Sequence, residues 1–135
     1  MNKHDRPTEE DKLSYIIIGA AIEVHKTLGG PGLLESVYEE ALVWELRNRK
    51  INIAQQKQVP IQYKSTELKT PLRLDVLVED LVIVECKAVR DYNNIFEVQT
   101  LTYLHLMNLR LGLVINFGER MLKNGIYRVT NNLGK

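Results

Sequence analysis

Apolar side chains in the first part of the chain recur at helical spacing. Between Leu13 and Val24 they return every three or four positions, which is typical of a helix that buries one face. Thr8 and Asp11 stand at the spacing of a capping box, so the helix is predicted to begin just after Thr8. The sequence Gly-Gly-Pro-Gly at residues 29–32 ends this helix.

A second amphipathic stretch predicts a helix over residues 33–49. Its predicted apolar side consists of Leu34, Val37, Tyr38, Ala41 and Leu42. Its end carries a basic cluster of Arg47, Arg49 and Lys50. Basic side chains at this place favour the negative end of the helix dipole, and we prefer this interpretation to contact with a phosphate backbone.

The period of the pattern changes after residue 50. Residues 51–63 alternate apolar and polar side chains, with Pro60 marking a strand edge or a bend. The remaining predicted elements are strands over residues 72–78 and 81–89, a helix over residues 94–108, a strand over residues 111–117 and, after a hairpin turn at Asn124-Gly125, a strand over residues 126–130.

The segment 81–89 is apolar on both strand faces except at Glu85 and Lys87. A strand of this kind is normally covered on both sides, as in the centre of an α/β sheet. The predicted order is α-α-β-β-β-α-β-β. It indicates an α/β fold in which the third strand reaches the fourth through a helical crossover.

Length and composition restrict the class of protein. A chain of 135 residues, 44% hydrophobic and 26% charged, predicts one domain over residues 1–135, with a flexible start at residues 1–7. The net charge of +1 gives no general attraction to nucleic acid, so such binding needs a local patch. A single cysteine, a polar start and no apolar segment of ~20 residues predict a cytoplasmic protein with no membrane contact.

The candidate catalytic or metal-binding residues are the charged residues within the apolar strands. Glu85 and Lys87 share one strand face, while Cys86 takes the other face, where a buried and inert thiol is expected. A Glu-x-Lys pair alone favours a buried ion pair, because buried charges must be paired or bind a metal. Asp75 in the neighbouring strand changes this balance, since two converging carboxylates suit a hard cation such as Mg²⁺.

The strand register decides whether the two carboxylates can meet. A two-residue turn at Glu79-Asp80 would pair Asp75 with Val84 and send the carboxylates to opposite faces. A shared site therefore predicts a three-residue loop over residues 79–81, or a bulge.

Two helices carry further polar candidates. Glu35 and Tyr38 lie one turn apart in the second helix, and Gln99 and Tyr103 lie one turn apart in the third. Taken singly, Glu35 is best explained as a solvated residue and the two tyrosines as core aromatics. Their joint placement on elements that flank the central strand favours a common site.

The acidic and basic strand residues resemble the signature of the PD-(D/E)XK nuclease superfamily. Asp75, Glu85 and Lys87 match this signature on two adjacent strands. Leu74 stands where the superfamily signature has proline, at a position that is loose in the superfamily.

Two helix motifs make the resemblance more specific. Gln99-x-x-x-Tyr103 is similar to the motif that follows the Glu-x-Lys strand in exonucleases of the RecB type. Gly-Leu-Leu-Glu-Ser-Val-Tyr at residues 32–38 resembles the motif of the GxxExxY protein family, which belongs to the superfamily. The likeness covers about residues 17–129.

The resemblance implies a restriction-endonuclease-like core, with a central mixed β-sheet flanked by helices, and metal-dependent hydrolysis of phosphodiester bonds. Asp75 and Glu85 would hold Mg²⁺ or Mn²⁺ together with the backbone carbonyl of Cys86, and Glu35 would bind directly or through a water. Lys87 would position the attacking water or contact the scissile phosphate, and it should stay protonated beside two carboxylates.

The resemblance also implies a nucleic acid partner. Gln99 and Tyr103 would orient the lysine, the water or a phosphate of DNA, with RNA as the other substrate. A homodimer would supply binding surface that so small a domain lacks. Two alternatives stay open: a non-catalytic binding or interaction module on the same fold, and a hydrolase of another phosphate ester.

Overall fold

The computed structural model describes residues 7–132, so the predicted flexible start lies outside the described residues except for its last position. The elements in chain order are α1 (Glu9–Thr27), α2 (Glu35–Asn48), β1 (Ile53–Val59), β2 (Gln62–Tyr63), β3 (Thr66–Glu67), β4 (Leu72–Val78), β5 (Val82–Lys87), α3 (Ile95–Met107), β6 (Leu111–Asn116) and β7 (Ile126–Thr130). A 3₁₀ turn, Leu122–Gly125, precedes β7.

Five of the strands form one mixed sheet in the order β1-β4-β5-β6-β7. Strands β5 and β6 are parallel, and the other neighbours are antiparallel. The parallel pair is connected through α3, as the predicted crossover requires. The predicted α/β architecture, a central mixed sheet flanked by helices, is confirmed.

Both faces of the sheet are covered, which explains why β5 is apolar except at Glu85 and Lys87. The face of β5 that carries Val84 and Cys86 packs in one core cluster with α1 and α2. The opposite face carries Ile83 and packs in a second cluster with Leu104 of α3. Since side chains alternate along a strand, Glu85 follows Ile83 onto the α3 side.

Helix α1 begins where the capping box predicts. The backbone N–H of Asp11 donates to Oγ1 of Thr8 at 3.0 Å, and the N–H of Thr8 donates to Oδ2 of Asp11 at 3.1 Å. The Asp11 carboxylate also forms an ion pair with Arg128 of β7. The capping residues therefore join the start of the first helix to the last strand.

The predicted apolar side of α2 was wrong at its first turn. Leu34 is 75% exposed and Val37 is 37% exposed. Leu34 is the capping residue before the helix, whose first residue is Glu35, so Leu34 is not carried on the buried stripe. The buried apolar stripe instead consists of Tyr38, Leu42, Val43 and Leu46.

The predicted hairpin at Asn124-Gly125 was also wrong. Strands β6 and β7 are joined by residues 117–125, and Asn124-Gly125 closes the 3₁₀ turn. A Cβ atom on Gly125 would lie 2.4 Å from the carbonyl oxygen of Asn116. Glycine is therefore needed here for a close backbone approach, not for the left-handed φ of a two-residue turn.

The alternating segment over residues 51–63 divides into β1 and β2 around Pro60, and β2 pairs with β3 in a small separate sheet. Proline has no N–H to donate, which is consistent with the end of β1 at Val59. The observed order contains one short hairpin more than predicted. None of the helices between residues 7 and 132 is long and apolar enough to cross a lipid bilayer.

Candidate active site

The candidate site lies where β4 and β5 stop pairing through their backbones. The loop over residues 79–81 joins the two strands, and their last backbone pair on the far side is Val76 with Val84. The three-residue loop predicted for a shared site is therefore confirmed. Continuing this register by one residue sets Asp75 opposite Glu85.

Beyond the last backbone pair the two strands are held by side chains. The N–H of Asp75 donates to Oε2 of Glu85 at 3.0 Å, and the N–H of Cys86 donates to Oδ2 of Asp75 at 3.1 Å. Each carboxylate thus binds the backbone of the opposite strand through one oxygen. Within residues 7–132, no backbone N–H binds Oδ1 of Asp75 or Oε1 of Glu85, which leaves one oxygen of each for a ligand.

Asp75 lies at a point where β4 changes the face that it buries. Leu74 packs in the cluster on the α3 side, whereas Val76 packs in the cluster with α1 and α2. Strict alternation would place both on one face. The neighbouring strand also departs from regular geometry here, because Gln56, opposite Asp75 by register, has a left-handed φ of 52°. At this point Asp75 lines a groove beside α2, together with Glu35 and Glu39.

Burial dominates the electrostatics of Glu85. Its side chain is only 6% exposed. Loss of hydration, followed by the negative charge of Asp75, raises the pKa of Glu85 to about 8. The hydrogen bond from the Asp75 backbone and the positive charge of Lys87 lower this pKa but do not offset burial. Without a cation, burial therefore favours the protonated form of Glu85.

Lys87 lies close to the carboxylates without pairing with them. In the described part of the chain no carboxylate oxygen comes within 4.0 Å of its ammonium group. The Nζ atom lies 4.6 Å from the ring centroid of Phe96 in α3, a cation–π contact. Its charge nevertheless lowers the pKa of Glu35 and of Glu85, so the ammonium group is near both.

Tyr38 fixes the turn that precedes Glu35. The ring is fully buried and stacks on Phe117, with 4.8 Å between the ring centroids. Its hydroxyl donates to the carbonyl of Gly30 at 2.7 Å and accepts from the N–H of Leu33 at 3.2 Å. The core interpretation of Tyr38 is confirmed, and the hydroxyl adds a positioning role at the start of α2.

Glu35 is the first residue of α2, and its side chain is exposed. Partial desolvation raises its pKa, Lys87 lowers it and Asp75 raises it. These influences place Glu35 at the rim of the site, near the Asp75 carboxylate.

Tyr103 and Gln99 approach from α3 on the other side of the sheet. Tyr103 is half-buried, and its pKa is raised by burial and then by the negative charges of Glu85 and Asp75. The side chain of Gln99 lowers the same pKa, which indicates that it lies beside the phenol hydroxyl. Gln99 itself is exposed. Both predicted residues therefore lie near the carboxylates.

The thiol of Cys86 is fully buried, and burial raises its pKa. It belongs to the core cluster on the side of α1 and α2, as the strand alternation predicted. Only the backbone of Cys86 reaches the candidate site, through its N–H bond to Asp75.

Asn116, a buried amide that is not among the predicted site residues, fixes the chain after Lys87. Its Oδ1 accepts from the N–H groups of Val89 and Gly118, and its Nδ2 donates to the carbonyl of Val89. The next N–H, of Phe117, donates to the carbonyl of Lys87 at 2.7 Å. A polar residue that ends a wholly apolar strand was the available signal.

Glu39 is a second functional candidate that the sequence did not indicate. It is 5% exposed, and its carboxylate accepts hydrogen bonds from the side-chain amides of Gln55 and Gln56. In the sequence nothing separates it from the adjacent Glu40, which is exposed.

The donor set suits a cation with oxygen ligands, although it is small. Among residues 7–132, no three side chains of His, Cys, Asp or Glu come together as metal ligands. Two carboxylate oxygens are available, one on Asp75 and one on Glu85, and Glu35 stands farther out. A hard divalent cation readily completes such a set with waters.

Comparison with known protein families identifies a superfamily for this chain. A family model described as the PD-(D/E)XK nuclease superfamily matches residues 11–129, which include every candidate site residue. Searches of curated proteins and of solved structures return no significant match. Members of this superfamily are generally nucleases and typically use divalent metal ions. Because the match covers most of the chain, the protein belongs to the PD-(D/E)XK nuclease superfamily.

Proposed function

We propose that the protein is a metal-dependent nuclease that hydrolyses phosphodiester bonds of nucleic acid. The observation that supports this most is the reciprocal bonding of Asp75 and Glu85, which brings two carboxylates together and leaves one oxygen of each available. The superfamily membership supports the same reaction class.

Asp75 and Glu85 would hold Mg²⁺ or Mn²⁺, with the backbone carbonyl of Cys86 as a further oxygen ligand. Glu35, exposed at the start of α2, would act through a bound water. The raised pKa of Glu85 supports this assignment, because a cation offsets the cost of a buried carboxylate. When bound, the ion would lower the pKa of a coordinated water and neutralise charge on the phosphate.

Lys87 would hold the attacking water or the scissile phosphate through its ammonium group. The contact with Phe96 limits the positions of this side chain, so less freedom is lost on binding. Gln99 would bind the hydroxyl of Tyr103, and this pair would orient a phosphate oxygen or the water on the α3 side.

One observation favours a second candidate, a non-catalytic module on the same fold. Both carboxylates already have backbone partners, so joining the strands is a sufficient structural role for the Asp75–Glu85 pair. In that case Lys87 would have no role beyond its contact with Phe96.

The motif over residues 32–38 favours the GxxExxY family, DNA is the expected substrate and a homodimer the expected assembly. The single cysteine, Cys86, is free and buried, which fits a reducing cytoplasm.

The test is a cleavage assay on single-stranded DNA, duplex DNA and RNA, with Mg²⁺, with Mn²⁺ and with EDTA. We expect metal-dependent cleavage that falls at least about 100-fold in Glu85→Gln and Lys87→Met, because both changes keep size and remove charge. Glu67→Gln, in the exposed strand β3, is the matched control. Cleavage that persists in both site variants would refute the assignment, and cleavage by no protein on any substrate would favour the non-catalytic module.

A further inference from the structure

A groove runs from Asp75 along α2, away from the α3 side of the site. Its volume is about 1130 Å³. Besides acidic residues, it is lined by Trp44, Arg47 and Asn48 of α2 and by Gln56 and Arg73 of the sheet. Pockets for small molecules have volumes of about 300–1,000 Å³, so this groove is large enough for a segment of a polymer.

The charges in the groove are unevenly distributed along α2. Glu35, Glu39 and Glu40 line it in the first half of the helix, and Arg47 lines it near the end. Part of the negative charge is already engaged, because buried Glu39 accepts amide hydrogen bonds. Neither Arg47 nor Arg73 forms an ion pair with any residue in the range 7–132. The acidic end suits a cation, and the arginines suit anions.

Arg73 is held in place for an anion. Its Nε donates to Oε1 of Gln56 at 2.8 Å, and Nε2 of Gln56 donates to the carboxylate of Glu39 at 2.8 Å. Within the described residues, these hydrogen bonds use only Nε of Arg73, so the terminal nitrogens of its guanidinium group are available to bind an anion. Arg73 precedes Asp75 by two residues, or about 7 Å along the strand, a distance comparable to that between neighbouring phosphates of an extended polynucleotide.

Trp44 supplies a different kind of surface in the same groove. Its side chain is 62% exposed, although tryptophan normally buries most of its area. It precedes Arg47 by three residues, so both lie on one side of α2. An exposed aromatic ring beside two arginines is an arrangement that stacks on bases of a single strand, because bases of a duplex offer no free face.

We propose that this groove binds single-stranded polynucleotide, with Trp44 stacked on a base and Arg73 and Arg47 on backbone phosphates. For Arg47 this replaces the helix-dipole interpretation that the sequence alone favoured, because Arg47 lines the same groove as Arg73. The inference rests on the proposed nuclease function, since the strand would enter the site at Asp75. It assigns the substrate class that the two carboxylates alone leave open.

The test uses the intrinsic fluorescence of the full chain, in which Trp44 is the only tryptophan. Binding is measured in the Glu85→Gln variant as the host protein, so that the nucleic acids are not cleaved. The probes are oligo(dT), oligo(rU) and a duplex of equal length. We expect both single strands to quench Trp44 at concentrations at least about tenfold below those that the duplex needs. The ratio between the two oligomers shows whether DNA or RNA is preferred.

Substitutions in the same host locate the contact, read by the anisotropy of labelled oligomers. We expect Trp44→Ala to weaken binding about fivefold or more, and Trp44→Phe to retain most of it. Tyr15→Ala is the matched control, because Tyr15 is 83% exposed on α1 and does not line the groove. Arg73→Gln should reduce the slope of log K against log salt by about 0.7.

Three results would overturn the inference: no quenching by single strands, equal affinity for duplex, or equal losses in Trp44→Ala and Tyr15→Ala. Wild-type cleavage that Trp44→Ala leaves unchanged would also overturn it while the nuclease proposal stands. Trp44-dependent binding with no cleavage by the wild type would support the groove assignment and refute the nuclease proposal.

Discussion

The backbone N–H of Asp75 donates to Oε2 of Glu85 across 3.0 Å, where β4 and β5 would otherwise continue their backbone pairing. The same two residues thus join the strands and present oxygens to a ligand. A substitution at either position changes both properties, so stability and metal binding must be measured together. Amide replacements are the appropriate variants, because they keep one acceptor oxygen for the strand contact.

We expect Mg²⁺ and Mn²⁺ to stabilise the protein by binding its folded state. A cation at one hundred times its dissociation constant adds about 2.7 kcal/mol to the free energy of unfolding. Asp75→Asn should lose most of this metal-dependent gain, and Glu67→Gln should retain it. Thermal unfolding with and without EDTA measures the effect, and a gain that is equal in all three proteins would show that the ion binds elsewhere.

The raised pKa of Glu85 predicts how stability depends on pH without metal. The folded-state pKa is about 8 and the reference value is 4.5, so between these values the folded chain holds a proton that the unfolded chain has released. Unfolding is then favoured as pH rises, and the contribution of Glu85 to stability is lost between pH 4.5 and pH 8.

Glu85→Gln isolates this contribution, because glutamine does not titrate. We expect the stability of the wild type relative to the variant to fall as the pH rises through this window, measured by denaturant unfolding in EDTA. A difference that is independent of pH would contradict the raised pKa. Saturating Mg²⁺ should reduce the loss, since the cation stabilises the ionised carboxylate.

The sequence predicted best the features that depend on strand periodicity. The pattern predicted the bounds of β4, residues 72–78, to the residue. The positions of Asp75 and Glu85 in the alternation of their strands, together with the assumption of a shared site, predicted a three-residue loop or a bulge, and the loop is observed. The alternation is informative because a shift of one residue in the pairing moves every side chain of a strand to the other face of the sheet.

Features that depend on contacts distant in sequence could not be predicted. The sequence alone predicts a turn glycine at Gly125, whereas its observed role is a close approach to Asn116. This approach depends on how the connection between β6 and β7 packs. The exchange of buried faces between Leu74 and Val76 occurs opposite a left-handed residue in another strand. Periodicity within one segment does not carry this information.

Tyr38→Phe is expected to loosen the start of α2. The substitution removes the hydroxyl that binds Gly30 and Leu33 and keeps the ring that stacks on Phe117. We expect the free energy of unfolding to fall by about 1–3 kcal/mol, because the lost hydroxyl bonds two backbone groups. Tyr63→Phe, at an exposed tyrosine, should change stability by less than about 0.5 kcal/mol.

The same variant tests whether this turn positions Glu35. If it does, cleavage should fall further than the loss of folded protein explains, at a temperature where both proteins are fully folded. Normal cleavage by a destabilised Tyr38→Phe would restrict the tyrosine to a structural role.

Gly118 and Gly19 provide a matched pair of glycine-to-alanine substitutions. A Cβ atom on Gly118 would lie 2.2 Å from the carbonyl oxygen of Val89, whereas one on Gly19, exposed in α1, would meet nothing within 4 Å. Alanine at 118 must therefore displace backbone, and we expect a loss of about 2–4 kcal/mol in the free energy of unfolding. Alanine at 19 should add about 0.5–1 kcal/mol, because it favours the helix.

The displacement at residue 118 also bears on the site, because the Asn116 amide that binds Gly118 and Val89 fixes the chain just beyond Lys87. Distant substitutions add nearly independently, so the double variant Gly19→Ala, Gly118→Ala should recover part of the lost stability. We expect its cleavage activity to stay low even when it is fully folded, since the displaced carbonyl of Val89 moves the strand that carries Lys87. Full recovery of activity along with stability would show that the close approach of Gly118 to Val89 serves folding alone.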